Sequence, residues 1–214
     1  MTRLFEGTLA LGSLVLALVL ALGCAAGEKK EDKKDDTGWK ALFNGKDLAG
    51  WKTHPKNPGE WKVQDGLLVG EGPVSHLFSE RGDYENFHYR IEATINEKGN
   101  SGQYFRTEFG PGFPKGYEAQ INSTHGDKVR TGSLYGFKDC LIFEQLHKPD
   151  EWFIQEVIAD GNHIQIFVNG KKSVDFKDEK NTHTKGHFAI QQHDPGSVVT
   201  VKKIEYKELP PTKK

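Results

Sequence analysis

Apolar and polar residues alternate with a period of two in short runs along most of this chain, and Gly, Asn-Gly or Asp-Gly turns interrupt them about every 8 to 12 residues. Runs of that length and period pair into sheets; they are too short and wrongly phased for amphipathic helices. From Phe87 to Ile95, the residues Phe87, Tyr89, Ile91, Ala93 and Ile95 share one face, and His88, Arg90, Glu92 and Thr94 share the other. Trp61 to Gly70 reads as a hairpin across Asp65-Gly66, and Trp152–Ile158 with His163–Asn169 reads as a second across Asp160-Gly161-Asn162. His187–His193 and Val198–Tyr206 supply further strands. The 24 glycines and 13 phenylalanines fit many short strands and tight turns. The expected fold is all-β: a two-sheet antiparallel β-sandwich of jelly-roll type, with helices incidental.

The N-terminus has a different texture. Leu9 to Leu22 is an apolar run preceded by Arg3 and closed by Gly23-Cys24-Ala25-Ala26, too short to span a bilayer as a mature helix and read as a signal peptide. Leu20 to Cys24 resembles a lipobox, so Cys24 is the expected lipidation site, with plain secretion as the alternative. The boundaries are then 1–23 signal peptide, 24–37 charged tether, 38–209 folded domain and 210–214 tail, and the expected location is the cell envelope. Cys140 is the other cysteine, so the mature domain has no disulfide, and Cys140 reads as a small buried side chain. With 29 basic and 30 acidic residues and a net charge of -1, no field recruits nucleic acid, and a lipid anchor is the only expected membrane contact.

The stretch Gly116–Asn122 stands out for its polar face. Alternation puts Tyr117, Ala119 and Ile121 on one side and Glu118, Gln120 and Asn122 on the other. Two more strands present polar groups opposite apolar ones: Tyr104, Arg106 and Glu108, and then Gln191 and His193. If these strands are neighbours, the groups form one cleft suited to a polyhydroxylated ligand. The plainer alternatives are an exposed Arg106–Glu118 pair across adjacent strands, a His193 that only caps the Asp194-Pro195-Gly196 turn, and a polar strand face with no role. Long loops on either side of Gly116–Asn122 are places where function concentrates. Loop Asp and Asn oxygens offer ligands for a divalent cation such as calcium, but no loop has diagnostic ligand spacing.

The order of short motifs is more specific. LFNGKDLAGW (42–51), WKVQDGLLVG (61–70), GNSGQYFR (99–106), GYEAQI (116–121), TGSLYG (131–136), VNGKK (168–172) and IQQHD (190–194) together resemble the 3-keto-disaccharide hydrolase family, over about Trp39 to Leu209. The resemblance implies a concanavalin A-like lectin/glucanase jelly roll acting on glycosides whose sugar a separate 3-dehydrogenase has oxidised. A ketone at carbon 3 acidifies the hydrogen on carbon 2, so one base, one stabilised enolate oxygen and help for the leaving group suffice. Glucanases of this fold carry paired acids at alternate positions of one strand; here those positions hold Glu118, Gln120 and Asn122, which leaves no pair for retaining hydrolysis. The expected catalytic residues are His193 or Glu118 as base, with Arg106 as the cation for the developing oxyanion. Asn100, Tyr104, Gln120, Asn122, Tyr135 and Gln191 are expected to hold the sugar, with His125 beside them as a candidate second acid. Phe137–Glu151 and the pair Trp152-Phe153 depart from the family pattern, which leaves open the leaving group the pocket prefers. A noncatalytic lectin-like module or a partner-binding surface lipoprotein are the alternative classes.

Overall fold

The computed structural model describes residues 38–210. The expected signal peptide, Cys24, the tether to residue 37 and residues 211–214 of the tail lie outside the described residues. In chain order the strands are β1 (Lys40–Ala41), β2 (Trp51–Thr53), β3 (Glu60–Gln64), β4 (Leu67–Glu71), β5 (Ser75–Ser79), β6 (Phe87–Ile95) and β7 (Asn100–Thr107). They continue as β8 (Tyr117–Asn122), β9 (Phe153–Asp160), β10 (His163–Val168), β11 (Lys171–Lys177), β12 (His187–Gln192) and β13 (Val199–Glu208). Among the described residues the helical content is one 3-10 turn, Lys138–Cys140.

Two antiparallel sheets form the sandwich. The larger runs β11-β10-β9-β6-β13-β4-β3, with β1 added to β13, and the smaller runs β2-β5-β12-β7-β8. Alternation explains the layers, since Phe87, Tyr89, Ile91, Ala93 and Ile95 on β6 are all buried against the inner face of the smaller sheet. Phe188 on β12 stacks on both Tyr84 and Tyr89 with ring centroids 4.0 Å apart, and Phe105 stacks on Tyr117 at 5.2 Å. Each such ring removed from water contributes on the order of 1.5–3 kcal/mol, so the inner faces hold the sheets together. The outer face of the smaller sheet is free to carry a site.

Strict alternation fails at one place on that sheet. Between β12 and β7 the register moves from His187↔Thr107 to Ala189↔Tyr104, so three steps on β7 oppose two on β12. The extra residue is a β-bulge. Arg106 takes it up at φ 50, in the left-handed region that non-glycine residues seldom enter. Gly186 permits the bulge, because a Cβ there would lie 2.4 Å from the Arg106 carbonyl carbon and from Thr107 N.

Candidate functional site

The floor of the site is woven from four neighbouring strands of the smaller sheet. Gln191 on β12 pairs with His76 on β5, and Ala189 pairs with both Phe78 on β5 and Tyr104 on β7. On the other side of β7, Asn100 pairs with Asn122, Gly102 with Gln120 and Tyr104 with Glu118. Successive rows of outward side chains therefore run Phe78, Ala189, Tyr104, Glu118 and, one pleat along, His76, Gln191, Gly102, Gln120. Gly102 leaves a gap in the second row. A Cβ there would stand 2.4 Å from Glu118 Oε1 and 2.8 Å from Tyr104 Cε2, so a larger residue would close the space that the carboxyl occupies. A cavity of about 360 Å³ opens over this gap, lined by Asn100, Tyr104, Phe113, Glu118, Gln120, Tyr135, Gln191 and His193.

Glu118 is the carboxyl at the bottom. Tyr104 donates its hydroxyl hydrogen to Glu118 Oε2 at 2.8 Å and accepts from Gln191 Nε2 at 2.9 Å. Burial outweighs the Tyr104 hydrogen bond, and together with the nearby Asp127 charge it pushes the Glu118 pKa up from 4.5 to about 8. At neutral pH the group is therefore a carboxylic acid, and because Tyr104 occupies Oε2, its own proton sits on Oε1, over Gly102. Burial also drives Tyr104 upward, so its hydroxyl keeps its proton. Behind them Gln191 Nε2 lies 3.4 Å from His76 Nε2. Burial, against a pull from the Gly112 backbone, holds His76 neutral with a pKa of about 3.

His193 is placed differently. It follows β12, and its Nδ1 lies 2.9 Å from Asp194 Oδ2. Burial pulls Asp194 up, but hydrogen bonds from His193, Gly196 N–H and Ser197 outweigh it and hold the group below its usual value, so it is ionised and accepts. In the neutral ring the His193 proton therefore sits on Nδ1 and the lone pair on Nε2, and the ring lines the cavity. His125 lies alongside, with ring centroids 5.6 Å apart and Nε2 3.5 Å from Asp194 Oδ2.

His125, His193 and Asp194 have candidate ligand atoms within 4.8 Å of one another, a donor set other than the loop Asp and Asn oxygens that the sequence offers a divalent cation. The donor set does not suit a cation. His125 Nδ1 accepts the Asp127 backbone N–H at 3.0 Å, so the proton of the neutral ring is on Nε2 and no lone pair faces Asp194.

Seven of the residues expected at the site line the cavity: Asn100, Tyr104, Glu118, Gln120, Tyr135, Gln191 and His193. His125 stands just behind His193. Two expectations are corrected. Arg106 is 1% exposed and points away from Glu118; its Nε and Nη2 donate to the Glu85 carbonyl at 2.9 and 2.6 Å, and Nη1 donates to the His183 carbonyl at 3.2 Å. The bulge explains the error, because an inserted residue shifts every later side chain out of phase. Asn122 is on the expected face but serves the loop behind the site, donating to the Asp127 and Val129 carbonyls while its Oδ1 accepts from His125 N–H and Arg130.

Sequence reasoning missed His76, Asp194 as the partner of His193, and Phe113. His76 and Phe78 stand two apart on β5, the spacing that puts both on one face of the strand. Phe113, 62% exposed, belongs to the loop before β8 and has its ring 5.5 Å from His193 and 6.3 Å from His76.

Two carbonyl oxygens at the site, Asn100 Oδ1 and Gln191 Oε1, are buried without a hydrogen-bond partner. Such atoms cost on the order of 1–3 kcal/mol each, and His76 Nδ1, Tyr89 Oη, Gln103 Oε1 and Gln192 Oε1 share the condition.

The profile of the 3-keto-alpha-glucoside-1,2-lyase-like domain matches residues 38–209. No curated protein matches the chain. Among solved structures, a candidate glycosyl hydrolase from Parabacteroides distasonis superposes with a TM-score of 0.68 at 24% identity, covering 81% of this chain and 94% of its own. The carbohydrate binding module CBM66 from Bacillus subtilis gives 0.57 at 16% identity, covering 74% and 96%. Both likenesses are of fold.

Proposed function

Because the chain belongs to the 3-keto-alpha-glucoside-1,2-lyase-like family, we propose that it cleaves glycosides carrying a ketone at carbon 3, with His193 as the base and Glu118 as the acid. The observation that carries this reading is one cavity holding a histidine with a free Nε2, fixed by an ionised carboxylate, together with a carboxyl that burial keeps protonated to about pH 8. Groups whose environments drive their protonation states apart are a base and an acid ready for use.

His193 Nε2 takes the proton from carbon 2, and the electron pair moves towards the ketone, whose oxygen gains negative charge. Glu118 donates a hydrogen bond from its neutral carboxyl to that oxygen, the part the sequence assigned to Arg106. The pair then returns to form the bond between carbons 1 and 2, the bond from carbon 1 to the leaving oxygen breaks, and the leaving group takes up the proton that His193 removed from carbon 2. Water adding later to carbon 1 makes the net change a hydrolysis. The amide side chains of Asn100, Gln120 and Gln191 line the cavity beside the sugar, and Asp194 holds the His193 tautomer. A separate sugar 3-dehydrogenase supplies the ketone, and lipidation at Cys24 keeps the domain at the cell envelope.

Incubation with a 3-keto-glucoside and the matching unoxidised glucoside tests the reading. Release of the leaving group from the first alone supports it, and release from neither overturns it. A lectin-like role has its own support, since the amide side chains that line the cavity and the exposed rings of Phe113 and Tyr135 would also hold an unoxidised sugar. Calorimetric binding of the unoxidised glucoside without release of product would favour that role.

A further inference from the structure

We infer that Phe113 is the platform for the leaving group and sets a preference for leaving groups with a flat apolar face, an inference that rests on the elimination reading above. The cavity floor is polar, lined by Asn100, Glu118, Gln120 and Gln191. The oxidised sugar therefore lies over β12, β7 and β8. Its carbon 2 must meet His193 Nε2, and carbon 1, which bears the leaving group, is one bond away. The leaving group accordingly emerges beside His193.

The ring found there is Phe113, 5.5 Å from His193 and, at 62% exposed, among the most open large apolar side chains of the described residues. Its position over the sheet supports the assignment. Phe113 also faces His76 on β5 at 6.3 Å, whereas Tyr135 is tied by its backbone N–H to the Glu118 carbonyl of the edge strand β8 at 2.9 Å. The two exposed rings thus flank the floor, with Phe113 on the base side. Phe113 has no polar atom, so what it recognises is a face: an aromatic ring, or the carbon-bound hydrogens of a saturated one. The apolar strip continues from there, since Phe109 from the same loop packs on Phe78 at 5.1 Å and remains 40% exposed.

Benzyl and methyl 3-keto-glucosides of the same anomeric configuration provide the test, because their leaving alkoxides have similar basicity and differ mainly in the apolar face. Wild-type protein should prefer the benzyl substrate in kcat/KM, and Phe113→Ala should shrink that preference about three- to tenfold, while Phe113→Trp keeps it. An unchanged benzyl-to-methyl ratio in Phe113→Ala overturns the platform and leaves the elimination intact. If wild-type protein releases neither alcohol, the elimination reading falls, and calorimetry with unoxidised benzyl and methyl glucosides decides the platform. Tighter benzyl binding that Phe113→Ala abolishes supports it, and equal binding of the two removes it.

Discussion

Arg106 and Glu118 sit on neighbouring strands, and both are ionisable side chains that the fold surrounds with protein, yet they are handled in opposite ways. The Arg106 guanidinium gives its hydrogens to the Glu85 and His183 carbonyls and approaches Asn86 Oδ1 at 3.5 Å. It spends its donors on backbone that would otherwise lack partners, so it pins the β7 bulge to the segment before β6. Glu118 has one side-chain partner, Tyr104, and its surroundings leave the amide carbonyls of Asn100 and Gln191 unmatched. The Arg106 end of the sheet is closed over its side chain, and the Glu118 end opens on the cavity. Burial and charge alone do not mark a functional residue; access to a cavity does.

The largest expected effect lies at the open end. His193→Ala removes the base and should lower kcat for a 3-keto-glucoside by about 10²–10⁴-fold, with binding of the unoxidised glucoside largely kept, measured by product release and calorimetry. A loss under tenfold would move the base elsewhere.

Glu118→Leu removes the donor to the developing oxyanion and should cost on the order of 10²-fold in kcat, whereas Glu118→Gln, whose amide N–H still donates, should lose far less. The pH profile sharpens this. Burial raises the folded-state pKa from 4.5 to about 8, so the neutral acid and the stability tied to it are fully present below the lower value and are lost as pH rises through the upper one. Activity of the native protein should fall above about pH 8, and Glu118→Gln should lose that alkaline limb. Persistence of the limb in the variant would assign it to another group.

A smaller loss of activity is expected from Gly102→Ala, whose Cβ would meet Glu118 Oε1 at 2.4 Å. The carboxyl must shift, so kcat should fall by about tenfold with the melting temperature nearly unchanged. At the closed end the pattern reverses. Arg106→Met leaves buried carbonyls unmatched and should reduce stability by about 2–3 kcal/mol in denaturant unfolding, with turnover per folded molecule retained. Lost turnover in folded Arg106→Met would erase the contrast between the two ends.

Most of the architecture was legible in the chain. The alternation of Phe87–Ile95 and the Asp-Gly hairpin at residues 65–66 are local signals, and β6 and the β3–β4 pair follow them closely. The polar face of β8 was legible for the same reason, as was the pairing of Glu118 and Gln120 with a groove. The failures came where a contact distant in sequence overrides the local period. Arg106 enters the left-handed region without a glycine, supported by Gly186 pressing from the neighbouring strand, and nothing within β7 announces it. Asn122 carries the right pattern but is claimed by Arg130 and the turn at His125. Asp194 becomes the His193 partner through a turn geometry that composition alone leaves open.

By itself the sequence determined the strand periods, the turns, the family motifs and the scarcity of acids on β8, because each is a property of residues close along the chain. Only the tertiary structure decided which polar groups meet. Protonation of Glu118, the tautomer of His193, the gap over Gly102 and the removal of Arg106 from the site all depend on atoms from separate strands, and burial and hydrogen-bond partners exist only once those strands have packed.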